Sequence, residues 1–232
     1  MENNVPSEAG GPPATAVGQT VDRTLEARRA TAQDEVERLV AAAFRVIEQT
    51  GHLEPKVSDI LAEAGLSNQA FYRHFRGKHE LLVAVLDQGI RELGSYLASR
   101  MAEAPEPAQA VREWIRGMAA QTQRPTSVRA SRPFALARGR LAEAFPEEIM
   151  RSEGQVTAPL RSALADARAT GAMPAVDADL EAEALYHMMM GWVEARLVES
   201  RIPDDGEVAR LEAFAMAGLE RPRPANEAGE QQ

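Results

Sequence analysis

Apolar residues recur along this chain at the three- and four-residue spacing of amphipathic helices. In the first clear case Leu39, Val40, Ala43 and Ile47 stand at i, i+1, i+4 and i+8, which places them on one face of a helix. We predict a helix over about residues 34–50. The residues before it contain the sequence GGPP and no such spacing, so residues 1–33 are expected to form a disordered arm.

The next stretch, residues 57–79, has the pattern of two short helices joined by a tight turn. Gly65 allows the left-handed backbone that such a turn requires. Ser67 is a good N-cap for the second short helix. Asn68 and Gln69 then occupy the outward-facing first turn, where a recognition helix meets base edges. The stretch therefore has the organisation of a DNA-binding helix-turn-helix.

Helical spacing continues beyond this stretch and is divided by prolines and glycines. It predicts six further helices, over about residues 78–101, 108–123, 126–137, 146–170, 179–200 and 203–219. The last two carry more apolar surface than one neighbour covers, so we expect them to pair with their copies in a homodimer. The tail 221–232 is polar and rich in Pro and Glu, and is expected to be disordered.

The predicted fold class is therefore all-α, with about nine helices. A three-helix DNA-binding domain is expected over residues 34–80. A larger helical domain for effector binding and dimerisation is expected over residues 81–220.

Composition narrows the classes of function. The chain has no cysteine, which excludes disulfides, Cys-ligated zinc and thiol nucleophiles. We find no phosphate-binding glycine loop, no nucleophile elbow and no metal-ligand spacing, so neither an enzyme, a cofactor nor a metal site is expected. No segment reaches the roughly 18 apolar residues of a membrane span, and no secretory signal is recognisable. We expect a cytoplasmic protein without membrane association.

The charge is unevenly distributed. The net charge of -9 disfavours nucleic acid as a partner, but the stretch from Ser67 to His79 contains no acid. Arg73, Arg76 and Lys78 lie within it. An acidic protein with such a basic patch can present one face to DNA.

The segment from about residue 36 to residue 82 resembles the DNA-binding domain of the TetR family of bacterial transcriptional regulators. The resemblance covers about a fifth of the chain and is carried by Ile60, Ala64-Gly65-Leu66-Ser67, Phe71-Tyr72-Arg73-His74-Phe75 and Lys78-His79-Glu80-Leu81-Leu82. It implies that Ser67, Asn68, Gln69, Tyr72 and His74 lie on or beside the DNA face. It also implies a homodimer that binds a pseudo-palindromic DNA operator.

Phosphate contacts are implied by the same resemblance for Tyr72 and Lys78. The chain departs from the family pattern at Lys56, where the family usually has a Thr that caps the second helix and touches a phosphate. Lysine can bind the phosphate but cannot cap, so we expect Ser58 to shift the start of that helix. Arg73 completes the predicted DNA-binding set through its place in the basic patch.

Large apolar side chains in the second domain are candidates for a small-molecule effector cavity. Met and aromatic side chains suit adaptable apolar sites. The candidates are Trp114, Met118, Phe134, Met150, Tyr186, Met189, Met190 and Trp192. The alternative for each is an ordinary place in the core, because helical spacing alone generates such stripes.

A stretch of arginines without neighbouring acids bears on the chemical class of the effector. From Trp114 to Ala142 the chain has no acid, but it carries Arg116, Arg124, Arg129, Arg132, Arg138 and Arg140. Such a positive stretch could receive a carboxylate or phosphates, as in a fatty acyl or acyl-CoA effector. The alternative is a solvated arginine face.

Together the residues and the resemblance predict a ligand-responsive transcriptional regulator, most simply a repressor that its effector releases from DNA. The alternative is a helix-turn-helix protein controlled by a protein partner, or a nucleoid factor without a small ligand.

Overall fold

The computed structural model describes residues 16–221 of the chain. Within that range the chain forms ten α-helices, one short 3₁₀ turn at Ala120–Thr122 and no strand, which confirms the all-α class. The helices are α1 Ala16–Thr50, α2 Val57–Ala64, α3 Asn68–His74, α4 Lys78–Ala102, α5 Pro107–Ala119, α6 Pro125–Leu136, α7 Arg138–Ala144, α8 Pro146–Ala169, α9 Ala178–Glu199 and α10 Asp205–Leu219.

The first helix is much longer than predicted. It begins at Ala16 rather than near residue 34, so the prediction of disorder is wrong for residues 16–33. No Gly or Pro occurs from Gln19 to Thr50, and Ala, Arg, Glu and Gln favour helix without needing burial. The side chains of residues 21–30 are exposed, so apolar spacing gave no sign of this extension. Residues 1–15 and 222–232, the other parts predicted to be disordered, lie outside the described residues.

The tenth helix arises because residues 138–144 form a separate helix, α7. Gly139 is one of the glycines that divide the predicted helices, but it lies in the first turn of α7, where a glycine costs little. Leu141 is buried and anchors α7 against the N-terminal helices. Pro146 then opens α8 directly after α7.

One hydrophobic core holds the N-terminal helices together, and we call this part of the molecule the head. Leu39, Ile47, Ile60 and Phe71 are almost completely buried there, packed with the beginning of α4. The core also includes Leu141, so that α7 contributes to it although it lies far away in sequence. The head is therefore closed by residues from both halves of the chain.

A second core lies among the helices from the middle of α4 to α10, and we call this part the body. Trp114 of α5 is fully buried, and its indole N–H donates to the carbonyl oxygen of Val156 at 3.1 Å. Gly117 allows α5 to approach α4 closely, because a Cβ there would lie 2.5 Å from a methyl group of Leu97. Helix α9 packs on α5, α6 and α8, and α10 packs on α5.

Candidate DNA-binding surface and interior cavity

The turn between α2 and α3 is formed as its residues predict. Gly65 has a φ of 64°, in the left-handed region. Arg38 of α1 donates to the carbonyl oxygen of Ala64 at 2.8 Å and so satisfies the end of α2. Ser67 caps α3, with its hydroxyl oxygen accepting from the backbone N–H of Ala70 at 3.2 Å. These contacts fix the direction in which α3 leaves the head.

Helix α3 has one buried face and one exposed face. Phe71 and Phe75 are buried in the head, with ring centroids 5.8 Å apart. Asn68 and Gln69 are exposed in the first turn, and Tyr72 is 60% exposed. Helix α3 therefore presents polar and phenolic groups to solvent while its aromatic anchors hold it in place.

Two residues of the predicted DNA-binding set contact Glu35 of α1. Its carboxylate accepts from the Arg73 guanidinium at 2.8 Å and lies 2.6 Å from Nε2 of His74. These contacts lower the pKa of the Glu35 carboxyl, and the hydrogen bond with His74 has the largest effect. The His74 side chain is only 10% exposed, whereas that of Arg73 is 54% exposed. Arg73 thus keeps an open face, and His74 mainly joins α3 to α1.

Helix α2 begins at Val57, with Lys56 in an extended conformation and without a side-chain cap. The carbonyl oxygen of Lys56 accepts from the N–H of Ile60 at 3.2 Å. The expected shift to Ser58 does not occur, since its hydroxyl donates to Asp59 at 3.1 Å. Lys56 does not cap α2, and only Asp59 in the first turn interacts favourably with the positive end of the helix.

Lys78 opens α4 and belongs to a small network between the head and α7. Its Nζ lies 3.4 Å from a carboxylate oxygen of Glu54, whose other oxygen lies 3.7 Å from Arg140 of α7. His79 packs against Phe145, which follows α7, with ring centroids 6.4 Å apart. The predicted phosphate-binding lysine is therefore tied to the part of the chain that closes the head.

A cavity of about 380 Å³ lies where the head meets the body. Its wall includes Phe44 of α1 and Leu141 of α7, both of which pack in or against the core of the head. The other apolar and aromatic groups come from α4, α5, α6, α8 and α9, and include Val85, Leu86, Ile90, Leu93, Tyr96, Ile149, Val156, Val193 and Leu197. An apolar space of this size can enclose a small ligand.

Only part of the predicted cavity set lines this space. Met118, Phe134, Tyr186 and Met190 do so. The other four residues do not line it. Trp114 and Met189 are fully buried in the core of the body, Trp192 lies under the guanidinium of Arg196, and Met150 is 66% exposed.

Sequence reasoning missed several wall residues. Phe44 was overlooked although it stands four residues after Val40 and three before Ile47, beside the apolar face of α1. Glu194 was hidden between the apolar residues of α9. Tyr96 falls outside the apolar seam that predicted α4, and only the fold brings it to the cavity.

Three of the six arginines between residues 116 and 140 pair with acids from elsewhere in the chain. Arg116 binds Glu212 of α10 at 2.6 Å. Arg138 binds Glu153 of α8 at 3.4 Å, and Arg140 contacts Glu54 as described above. Arg132 donates to the carbonyl oxygen of Leu197 at 3.0 Å. Half of the positive charges of this stretch are therefore already paired, whereas Arg124 and Arg129 are exposed.

One phenol in the cavity wall stays protonated at neutral pH. Burial, with a further contribution from the charge of Glu153, raises the pKa of Tyr186 to about 12. The nearby Arg138 acts in the opposite direction but does not outweigh burial. Tyr186 can therefore donate a hydrogen bond into the cavity.

Comparison with known proteins finds a family match within the head. Residues 39–85 match the family model described as bacterial regulatory proteins, tetR family. The HTH-type transcriptional regulator BetI of Brucella canis is 38% identical over 69 residues, which are 30% of this chain and 35% of BetI. BetI of Brucella anthropi is 34% identical over 73 residues, covering 38% of its length. The matches thus span little more than a third of these relatives.

Solved structures match over most of the chain. A TetR-family transcriptional regulator from Pectobacterium atrosepticum has a TM-score of 0.67 and 23% identity, covering 84% of this chain and 99% of that one. The regulator FadR from Bacillus subtilis, solved in complex with stearoyl-CoA, has a TM-score of 0.59 and 13% identity, covering 79% and 97%. At these identities the likeness concerns the fold.

The described part of the chain thus combines a helix-turn-helix head, in which α3 has an exposed face, with a helical body that contributes to a cavity. Over residues 39–85 the chain matches the model of the TetR family of bacterial regulatory proteins, and its described fold is similar to that of a solved TetR-family regulator. Between residues 16 and 221, no helix is both long enough and apolar enough to cross a membrane. In the same range, no cluster of three or more His, Asp or Glu side chains is arranged to hold a metal ion.

Proposed function

We propose that the protein is a transcriptional regulator whose DNA binding responds to a small molecule in the cavity. The observation that carries this proposal is the shared wall. Phe44 belongs to the first helix of the head, and its ring stacks on Phe134 of α6 with centroids 6.4 Å apart. Both rings line the cavity. A ligand there would touch the DNA-binding head and the body at once.

On the DNA side, Asn68 and Gln69 are proposed to contact base edges in the major groove, because they are exposed in the first turn of α3. Tyr72, Lys56 and Lys78 are proposed to bind phosphates and set the position of the head. Ser67 contributes by capping α3.

The contacts with Glu35 indicate different roles for the remaining two predicted residues, Arg73 and His74. Arg73 can reach a phosphate from its exposed side while Glu35 holds its other side. His74 supports the orientation of α3, since its ring is mostly covered.

Dimerisation is proposed through the outer faces of the last two helices. Leu180 and Val198 are exposed and lie on the same face of α9, about five turns apart. The exposed Ala184 and Gly191 lie between them on that face, and Phe214 of α10 is 73% exposed. Apolar and small residues on exposed helix faces suit close packing against a second copy. Two heads would then read a pseudo-palindromic operator.

The effector is proposed to be small and apolar or amphipathic, and to release the dimer from its operator. The wall suits an alkyl or acyl chain, and the FadR structure with stearoyl-CoA supports the idea that this fold can receive one. The ion pairs of Arg116, Arg138 and Arg140 weaken the case for a phosphate-rich headgroup such as that of CoA. Release requires that the effector bind the DNA-incompetent arrangement more tightly.

Selection of bound duplexes from a random library, using the purified full chain, tests the DNA-binding part of this proposal. We expect a pseudo-palindromic sequence to be enriched, and gel-shift titration to show a salt-sensitive affinity for it. Binding to duplexes without any enriched sequence would contradict the proposal and favour a nucleoid factor.

A further inference from the structure

We propose that the cavity takes an amphiphile with a positively charged end, and that Glu194 of α9 is the carboxylate that pairs with it. This inference rests on the proposed function and adds the chemical class of the effector. The wall contains three charged residues, Glu92, Arg138 and Glu194. Their contacts decide which charge a ligand would find unpaired.

The positive charge of Arg138 is already used. Its guanidinium binds Glu153 at 3.4 Å and also lies beside the hydroxyl of Tyr186. An anionic headgroup at this place would have to compete with Glu153. The arginine therefore offers little to a carboxylate or a phosphate.

Glu194 is the opposite case. It is partly buried in the cavity wall, and among residues 16–221 its carboxylate has no hydrogen bond or ion pair. Arg132, one helix away, uses its Nε on the carbonyl oxygen of Leu197 and is not part of the wall. The oxygens of Glu194 are not among the fully buried unpaired atoms of the described residues, so its charge is accessible in the cavity wall, and a ligand cation that excludes water there would be its first charged partner.

Glu92 of α4 adds a second negative charge to the wall. It is exposed and accepts a hydrogen bond from Gln88 at 2.8 Å. Because it keeps its contact with water, we expect it to attract a cation less strongly than Glu194.

Aromatic rings in the wall favour the same ligand class. Phe44, Phe134 and Tyr186 come from three different helices and all line the cavity. The face of an aromatic ring attracts a cation, most strongly where water is excluded. Most of the remaining wall is aliphatic and suits an alkyl chain. A volume of about 380 Å³ leaves room for a chain in addition to the charged end.

Isothermal titration of the full chain with three ligands of equal chain length tests the inference. The ligands are decyltrimethylammonium, decanoate and 1-decanol, each below its aggregation concentration. We expect the cation to bind about tenfold more tightly than decanoate. Equal or tighter binding of decanoate or decanol would overturn the cation assignment and leave the proposed ligand-responsive function standing. Failure of all three to bind would overturn both.

A neutral, nearly isosteric variant tests the residue assignment. Glu194→Gln should lower the affinity for decyltrimethylammonium about tenfold and leave that for decanol unchanged. Glu183→Gln, on an exposed position of the same helix outside the wall, is the matched control and should bind all three ligands as the wild type does. Wild-type affinity of Glu194→Gln for the cation would overturn the role of Glu194.

Discussion

The head and the body of this protein express their roles in different ways. In the head, Gly65, Ser67 and Phe71 stand within seven residues of one another, and each performs a local task that its chemistry dictates. In the body, the cavity wall is assembled from seven helices, including one that belongs to the head. A helix-turn-helix motif is thus a local property of a sequence, whereas a ligand cavity is a property of the packed fold.

The largest effect is expected from a substitution that disrupts the core of the body. Trp114→Ala removes a fully buried indole and its hydrogen bond to Val156. We expect the free energy of unfolding to fall by about 3–5 kcal/mol, as for other buried Trp truncations. Urea denaturation at fixed protein concentration measures it.

Trp192→Ala is the matched control, because Trp192 is only partly buried. The decrease in the free energy of unfolding should be clearly smaller for Trp192→Ala than for Trp114→Ala. A change below about 1 kcal/mol for Trp114→Ala would show that the body does not depend on this core.

The next pair of substitutions distinguishes a proposed base contact of the head from a proposed phosphate contact. Gln69→Ala should change sequence preference at one base pair by about 1–3 kcal/mol, because Gln69 is proposed to contact a base edge. Lys78→Ala should instead weaken binding to all sequences and reduce the salt dependence by about one phosphate contact. Gel-shift titrations on the selected duplex and its single-base variants distinguish the two. The assignment fails if both variants behave alike.

A smaller effect is expected where the head and the body share the cavity wall. Phe44→Ala removes the ring that stacks on Phe134, and should reduce the coupling between ligand and DNA by about 0.5–2 kcal/mol. The coupling is measured as the ratio of the DNA Kd with and without the bound decyl ligand.

Val36→Ala is the control for that experiment, since Val36 packs on the core of the head but not on the cavity. It should leave the ratio unchanged. An equal decrease of the coupling in both variants would mean that it depends on the general stability of the head and not on the shared wall.

The smallest effect concerns pH. The pKa of Glu35 is lowered from its ordinary value of 4.5 by His74 and Arg73. Its contribution to stability is therefore present at neutral pH and is lost as the pH falls below about 4.5, through the lowered pKa. Glu35→Gln should flatten this acid decrease in Tm. Glu37→Gln, an exposed glutamate on the same helix, should retain it.

Local chemistry explains which parts of the fold were predictable. The turn at Gly65, the cap at Ser67 and the start of α4 at Lys78 are found as predicted, because each depends on neighbours within a few residues. The extension of α1 to Ala16 was missed because it has no buried face, and α7 was missed because Gly139 was taken as a break.

The contacts of the candidate sites were less accessible to sequence reasoning. Glu35 lies 38 and 39 residues from the two side chains it holds. Arg116 and Glu212 are 96 residues apart. No spacing rule links such positions, so the arginine stretch looked like an open positive face. Four of the eight predicted cavity residues line the cavity, since helical spacing does not distinguish a cavity wall from a filled core.

Because the head and the body share the cavity wall, we expect an occupied cavity to change the affinity for DNA, and this can be measured directly. The measurement is the Kd of the full chain for its selected duplex, with and without a saturating amount of whichever decyl ligand binds most tightly. We expect the ligand to weaken DNA binding at least about fivefold. An unchanged Kd at full occupancy would contradict it.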